Sequence, residues 1–459
     1  MADKEPMQVQ VAFDTLQAED EPWLMSCFVP PDDFSRMVRD RSIAVFGRPG
    51  AGKSALCAIL AQYARKSGRL VVPWQPVPDI TGDLPDSHTA HVQQILDRCG
   101  MAILEYLAQQ SEGSEFWTAM PTWVRRTLNW FAHAFVLGDL MVRVGPLLDE
   151  VEGLPGSGAL KETLAMPLGG DLFPRHNVRI VVRELIKTLR RLGLEGLWVL
   201  VDPLAPAGEN RADLVQAIHH FFSTLPFFEQ EGFTYKWFLP AWSEQEVLQA
   251  TGIERRRLDP LYLAWKPEKL RSIVEARLDL ATGGDLSRIA DLCDIPTLIN
   301  WLEKVGGDLP REWLDQVRPL VEFYLDHPDK APVDEKTWFK LRQDHPPRLL
   351  LDQQNQRVFV GGREIPLEEV SPQVYGLLKY LYNHAGRVVS RAELYYRVYL
   401  GQETIPRGPA DEGYLSPPEY AGSIDTALWR LRRTIEPDPN NPVLLRTLRG
   451  HGVRLERRW

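Results

Sequence analysis

The residues best suited to chemistry run Gly47-Arg48-Pro49-Gly50-Ala51-Gly52-Lys53-Ser54, which fits the spacing G-x-x-x-x-G-K-[ST]. Glycines at these places let a backbone wrap phosphates without Cβ clashes. The free amides at the start of the following helix, through Ala55, point at the anion with the positive end of the helix dipole. Lys53 brings a cation to the outer phosphates, and the Ser54 hydroxyl is a ligand for Mg²⁺. This chemistry needs a strand to end and a helix to begin at the loop. Residues 42–46 are a short apolar run of β-formers, and residues 55–66 read as a helix with Arg65 and Lys66 in its last turn and Gly68 after it.

A second candidate lies at Leu197-Trp-Val-Leu-Val-Asp202. An apolar parallel strand that ends in Asp places a carboxylate beside the phosphate loop, where it can hold Mg²⁺. Asp202 is therefore a candidate metal and catalytic residue. Pro203 follows it, at the place where a carboxylate would polarise an attacking water. Glu209 is the nearest substitute, so turnover is expected to be slow. Ser243 is the nearest polar residue after a further strand at 235–240. Arg311, at the start of a helix, and the cluster Arg255-Arg256-Arg257 are candidates to read a γ-phosphate. The expected cofactors are ATP and Mg²⁺, held by residues 47–55 with Arg311, Ser54 and Asp202.

The 459 residues are enough for two to four domains, with ordinary hydrophobic (44%) and charged (25%) shares. No apolar run is long enough to span a bilayer, and Met1-Ala-Asp-Lys-Glu-Pro6 lacks the apolar core of a signal peptide. Cys27, Cys57, Cys99 and Cys293 are far apart, without metal spacing, and read as buried thiols in a reducing cytoplasm. The net charge of -9 argues against a protein that coats nucleic acid over its whole surface. The charge is uneven, however: residues 353–459 hold 15 Lys/Arg against 12 Asp/Glu. A mildly basic tail on an acidic body points to an anionic partner for the tail.

Residues 70–74 read as a second strand and 87–110 as a helix. Trp117, Trp123, Trp130 and Phe131 lie in a helical pattern, which is either an aromatic-cored insertion or a docking surface for a protein partner. Residues 177–192 have the spacing of an amphipathic helix, 212–223 read as another, and a run of helices is expected from Leu261 to about His327. Residues 326–347 read as a linker rich in Pro, Asp and Lys.

The chain then changes character. A small hairpin is expected at 357–367, and Ser371-Pro372 opens a helix. Ser390-Arg-Ala-Glu393 forms a capping box that opens a second. After a Pro-rich loop at 401–422, Ser423 opens a third helix, which Pro437 stops. A hairpin at 444–455 turns at Arg449-Gly-His-Gly452. The third helix turns Asp425, Thr426, Trp429, Arg430, Arg432 and Arg433 outward. Three helices with a basic outward face and a basic hairpin make a winged helix-turn-helix, whose third helix enters the major groove. A solvated face or a protein-binding module are the other readings of these arginines.

The C-terminal hundred or so residues resemble the OmpR/PhoB-type winged-helix domain of bacterial response regulators. The resemblance rests on Gly386-Arg-Val-Val-Ser-Arg-Ala-Glu-Leu394, on residues 424–433, on Glu436-Pro-Asp-Pro-Asn-Asn-Pro442 and on residues 445–455. It implies binding of double-stranded DNA through residues 353–459, with the helix at 423–436, which carries Thr426, Trp429, Arg430, Arg432 and Arg433, as recognition element and Arg449 in the wing; His451, a further candidate contact, and Val453 stand where the family often has a small apolar residue and Tyr. The loop at 401–422 is longer than is usual there. Residues 12–325 resemble bacterial P-loop ATPases of the STAND/AAA-like group, through residues 47–54 and 197–202.

The expected fold is α/β: a P-loop NTPase with a parallel sheet and helices on both faces, a helical region, then an α+β winged helix. The expected boundaries are 1–260 for the nucleotide-binding domain, with a helical insertion at about 87–172, then 261–330 for a helical lid, 331–352 for a linker and 353–459 for the winged helix. This layout implies a cytoplasmic, ATP-dependent switch that regulates transcription. The alternatives are an ATPase acting on DNA in replication initiation, transposition or phage defence, and a signalling ATPase whose winged helix binds protein. An ATP-dependent homo-oligomer and a protein partner at the insertion are the further associations this layout allows.

Overall fold

The computed structural model describes residue 13 and residues 23–74, 84–149, 154–202, 215, 222, 225–250, 258–353, 357–366 and 370–456, with the side chains of 84–90 and 248–250 left aside. The chain divides into two compact units. One holds residues 17–25 and 30–263, the other residues 1–16, 26–29 and 264–459.

The first unit is built on a parallel sheet of five strands, β1 Ile43–Gly47, β2 Arg69–Trp74, β3 Gly196–Val201, β4 Phe233–Pro240 and β5 Asp259–Tyr262, in the order β2-β3-β4-β1-β5. Every residue of β1 and β3 is buried, as expected of a parallel sheet covered on both faces. β5 corrects the helical run expected from Leu261. Here Leu261 pairs with Val45 on the sheet edge, and the next helix waits for Pro267 at its first turn.

Helix α1 (Lys53–Lys66) follows the phosphate loop. The helices between β2 and β3 in the chain include α2 (Leu84–Ala108), α3 (Thr122–Phe135), α4 (Leu140–Leu148) and α5 (Ser157–Leu164). Their apolar faces join the sheet's core through Leu104, Leu107, Leu128 and Leu160. Trp117, Trp130 and Phe131 are buried there, whereas Trp123 is 49% exposed. Helix α6 (Val178–Arg191) leads into β3 and buries Val181, Val182, Leu185, Ile186 and Leu189. Within the sheet, the buried Lys236 ammonium donates to the carbonyls of Arg39 and Arg41 and lies 4.4 Å from the centre of the Trp198 ring.

The second unit begins with α7 (Pro267–Ala281), α8 (Pro296–Gly306), α9 (Pro310–Asp326) and α10 (Glu335–Asp344). Two antiparallel three-stranded sheets follow: β6 (Leu349–Asp352), β7 (Arg357–Val360) and β8 (Arg363–Ile365), then β9 (Val388–Val389), β10 (Leu445–Leu448) and β11 (Gly452–Leu455). Between them run α11 (Pro372–Asn383), α12 (Arg391–Glu393, continued as a π-helical stretch at Leu394–Tyr399) and α13 (Pro417–Ile435). The segment expected to be an irregular linker thus holds α10 and β6. Asp334 caps α10 by accepting from the Thr337 amide, and Trp338 buries its face.

The helices at 267–344 pack directly on the winged helix. The turn between β7 and β8 meets the end of α8, where the Gly362 amide donates to Val305 O at 2.8 Å. A Cβ at Gly362 would stand 2.1 Å from Gly306 O, so only glycine lets the two backbones approach this closely. Arg342 of α10 lies between Trp301 and Trp338, and Arg446 of β10 donates to the Gln343 carbonyl.

Candidate nucleotide and nucleic-acid sites

The phosphate loop leaves the C-terminal end of β1, the end at which parallel α/β sheets bind their ligands. Gly50 and Gly52 stand at φ 82° and 89°. A Cβ at Gly52 would meet nothing within 4 Å, so its left-handed backbone, not crowding, calls for glycine there. Lys53 is buried, and its Nζ donates to Gly47 O at 2.9 Å and Arg48 O at 3.0 Å. Its ammonium is thus held across the mouth of the loop. Arg48 and Pro49 make the outer turn, closed by the Ala51 amide on Arg48 O.

β4 lies between β1 and β3, yet α1 brings the Ser54 hydroxyl to Asp202 at the end of β3. Ser54 Oγ donates to Asp202 Oδ1 at 3.3 Å. Amides and an ammonium suit phosphate oxygens, and a hydroxyl beside a carboxylate suits a hard divalent cation. Among the described residues no group of three or more His, Cys, Asp or Glu could hold a metal ion alone. A cation at Ser54 and Asp202 would therefore complete its shell with phosphate oxygens and water. These residues fit a polyphosphate with its cation.

The other expected contributors have settings of their own. Ser243 is buried and donates to Pro240 O at 2.8 Å, which uses its hydroxyl in the turn after β4. Arg311 is exposed on the first turn of α9, in the second unit. Pro203, Glu209 and Arg255–Arg257 lie outside the described residues.

On the winged helix, α13 starts at Pro417, not Ser423. Ser416 and Glu419 form the capping box, with Pro at the first helical turn. The Pro-rich loop is shorter by that much. At α12 the Ser390 hydroxyl accepts from the Glu393 amide, but the Glu393 carboxylate bonds Tyr380 and Arg387 instead of closing a capping box.

Thr426, Trp429, Arg430 and Arg433 are exposed on α13, and the Arg433 guanidinium lies 4.8 Å from the centre of the Trp429 ring. Thr426 donates its hydroxyl to Gly422 O, which leaves a lone pair and its methyl outward. Arg432 departs from the expected outward face. It is half-buried and donates to Leu445 O at 3.3 Å and to the Thr447 hydroxyl, so it ties α13 to the wing.

Arg449 and His451 are exposed at the tip between β10 and β11. The wing's shape rests on two groups that the sequence patterns include but to which they give no role. Gly452 has φ 137°, and a Cβ there would stand 2.1 Å from Val389 O. Glu436 is buried, and its carboxylate accepts from the amides of Val443, Leu444 and Leu445, folding the chain between α13 and β10.

No family model matches the chain. It is 31% identical over 151 residues to the sensory transduction protein RegX3 of Mycolicibacterium smegmatis, covering 32% of this chain and 54% of that protein. It is 36% identical over 113 residues to the RegX3 protein of Mycobacterium leprae, covering 24% and 46%. The chain spans about half the length of these relatives. This likeness supports an OmpR-type winged helix. The chain joins a P-loop α/β fold to a C-terminal winged helix, and it is in the latter that the likeness lies. Among solved structures, the Klebsiella pneumoniae RstA DNA-binding domain in complex with the RstA box matches 24% of this chain and 90% of its own, at 25% identity and a TM-score of 0.18. Cdc6p from Pyrobaculum aerophilum matches 95% and 94%, at 12% identity and a TM-score of 0.34. Among the described residues no helix is long and apolar enough to cross a membrane.

Proposed function

We propose that this chain is an ATP-dependent switch whose output is binding of double-stranded DNA, and that it regulates transcription. The observation that carries the nucleotide half is the meeting of Ser54 and Asp202 at 3.3 Å beside a loop with Lys53 across its mouth. The loop amides and Lys53 hold the phosphates, and Ser54 and Asp202 hold Mg²⁺. Bound ATP supplies a γ-phosphate that ADP lacks, and a ligand shifts an equilibrium only through unequal affinity for its two states. Pro203 directly after Asp202 favours a slow switch over a fast hydrolase.

The DNA half rests on the exposed set Thr426, Trp429, Arg430 and Arg433 on one helix face, with Arg449 and His451 at the wing tip. The helix reads base edges and the wing meets phosphates. One winged helix neutralises few phosphates and binds weakly at physiological salt. ATP-driven assembly of several copies would raise avidity ~10²–10⁴-fold without new contacts. The test is DNA binding by fluorescence anisotropy, with particle mass measured in parallel, for apo, ADP-bound and ATP-bound chain. ATP is expected to raise both affinity and mass. Equal affinity and mass in all three states would remove the switch, and rapid DNA-stimulated turnover would replace it with a DNA-acting ATPase.

A further inference from the structure

A strong charge lies outside both sites, on the helix that leads into β3. Residues 175–191 hold six cations, Arg175, Arg179, Arg183, Lys187, Arg190 and Arg191, against Glu184 alone. This segment carries +5 in a chain of net charge -9, so the remainder carries -14. All six cations are exposed. At 100° and 1.5 Å per residue, Arg179, Arg183, Lys187 and Arg190 fall within about 80° of the circumference of α6 and span roughly 16 Å. Projected on the axis of a duplex, that length covers about four to five phosphates of one strand at 3.4 Å each.

The acids nearby leave the stripe positive. Glu184 is shared by Arg183 at 3.1 Å and Lys187 at 2.9 Å. Arg190 meets Glu231, itself 91% exposed, and Arg175 meets Asp171 before the helix. Pairs this exposed are worth ~0–1 kcal/mol, so phosphate can replace the carboxylates readily. Among the described residues no ion pair engages Arg179 or Arg191. A basic amphipathic helix can also lie on a membrane, but only if its apolar face is free. Here that face, Val181, Val182, Leu185, Ile186 and Leu189, is already buried in the core of the first unit. What remains outward is charge without an apolar wedge, which suits a nucleic-acid backbone.

We propose that the outward face of α6 is a second contact of this chain with double-stranded DNA, one that neutralises backbone phosphates without reading sequence. The proposal rests on the DNA-binding reading of the winged helix and adds a surface on the other unit. The test uses the full chain, the combined variant Arg179→Gln, Arg183→Gln and Lys187→Gln, and Arg449→Ala. The three glutamines replace exposed side chains, and unchanged thermal unfolding confirms that the variant folds. On a long duplex, the slope of log K against log salt is expected to fall by about two to three units in the triple variant. The ratio of specific to non-specific affinity should not change. A triple variant with the wild-type slope, while Arg449→Ala shifts it, would overturn the α6 contact and keep the winged-helix reading. Absence of duplex binding by the wild type at low salt would overturn both. Loss of binding to phosphatidylserine vesicles in the triple variant, with the DNA slope intact, would assign the face to lipid and overturn the proposal.

Discussion

On the proposed reading, the loop at residues 47–54 and the outward face of α13 offer phosphate two different surfaces. In the loop the backbone does the recognising. Gly50 and Gly52 set it at positive φ, and one buried cation, Lys53, is fixed to two carbonyls of the same loop. On α13 and the wing, side chains do it. Arg430, Arg433 and Arg449 are exposed and separate, each able to act when another is lost. A backbone site concentrates its energy in few positions, whereas a side-chain face spreads it. The first should therefore fail at one substitution and the second by degrees.

The largest expected effect tests the concentrated site. Lys53→Ala should weaken ATP binding by about 3–5 kcal/mol, two to three or more orders of magnitude in Kd, because it removes the buried cation at the mouth of the loop. Folding should change little, since only two hydrogen bonds to carbonyls are lost. Calorimetric titration checks the affinity and thermal unfolding the fold. A loss below tenfold would mean that the loop amides carry the binding, and the contrast with α13 would weaken.

The next effect falls on the scaffold of the dispersed face. Gly452→Ala places a Cβ 2.1 Å from Val389 O at φ 137°. The pairing of β11 with β9 must shift, at a cost of about 3 kcal/mol in the stability of the winged helix. Denaturant unfolding measures it. A cost below ~1 kcal/mol would show that the wing adapts and that its tip is not fixed by this contact.

The same contrast decides what the sequence revealed. A site made by backbone leaves a fixed spacing of Gly and Lys, so residues 47–54 were legible, and so was the apolar strand ending at Asp202. A site made by side chains leaves only a helical period, and the period does not say which arginine is occupied. Arg432 stands at helical spacing from the outward Asp425 and Trp429, but its tie to Leu445 and Thr447 spans a turn that no local pattern encodes. Element ends failed for local reasons. Pro417-Pro418 reads as loop, although Ser416 and Glu419 around it carry a capping box. Leu258, Leu261 and Leu263 form too short an apolar run to be told from the start of the helices after it, and pairing with β1 makes residues 259–262 a strand. The supposed linker hid α10, whose buried Trp338 and Arg342 are packed by Trp301 from a distant helix.

A smaller effect separates neighbours on α13. Arg430→Ala should cost about 1–3 kcal/mol of DNA affinity, most of it at one or two base positions, with stability unchanged. Arg432→Ala should instead lower stability by ~1 kcal/mol through its lost bonds to the wing. Its effect on affinity should follow from the wing's position. Competition with single-base variants of the bound sequence, beside thermal unfolding, reads both quantities. If Arg432→Ala relaxes sequence choice and Arg430→Ala does not, the roles given to the two residues are reversed.

The smallest effect is at the wing tip, where the dispersed character is clearest. Arg449 is exposed beside Gly450, whose φ is 78°, in a tight turn between β10 and β11. An exposed guanidinium at a hairpin tip can reach a phosphate but holds no fixed geometry from which to read a base. Its contribution is then release of about one counterion. Arg449→Ala should lower affinity for every sequence by the same factor and flatten log K against log salt by about one unit. The measurement is anisotropy at several salt concentrations on a specific and a scrambled duplex. A change on the specific duplex alone would place Arg449 at a base edge and make the wing a reader of sequence. An unchanged slope on both would take it off the DNA and leave α13 to carry the contact without the wing.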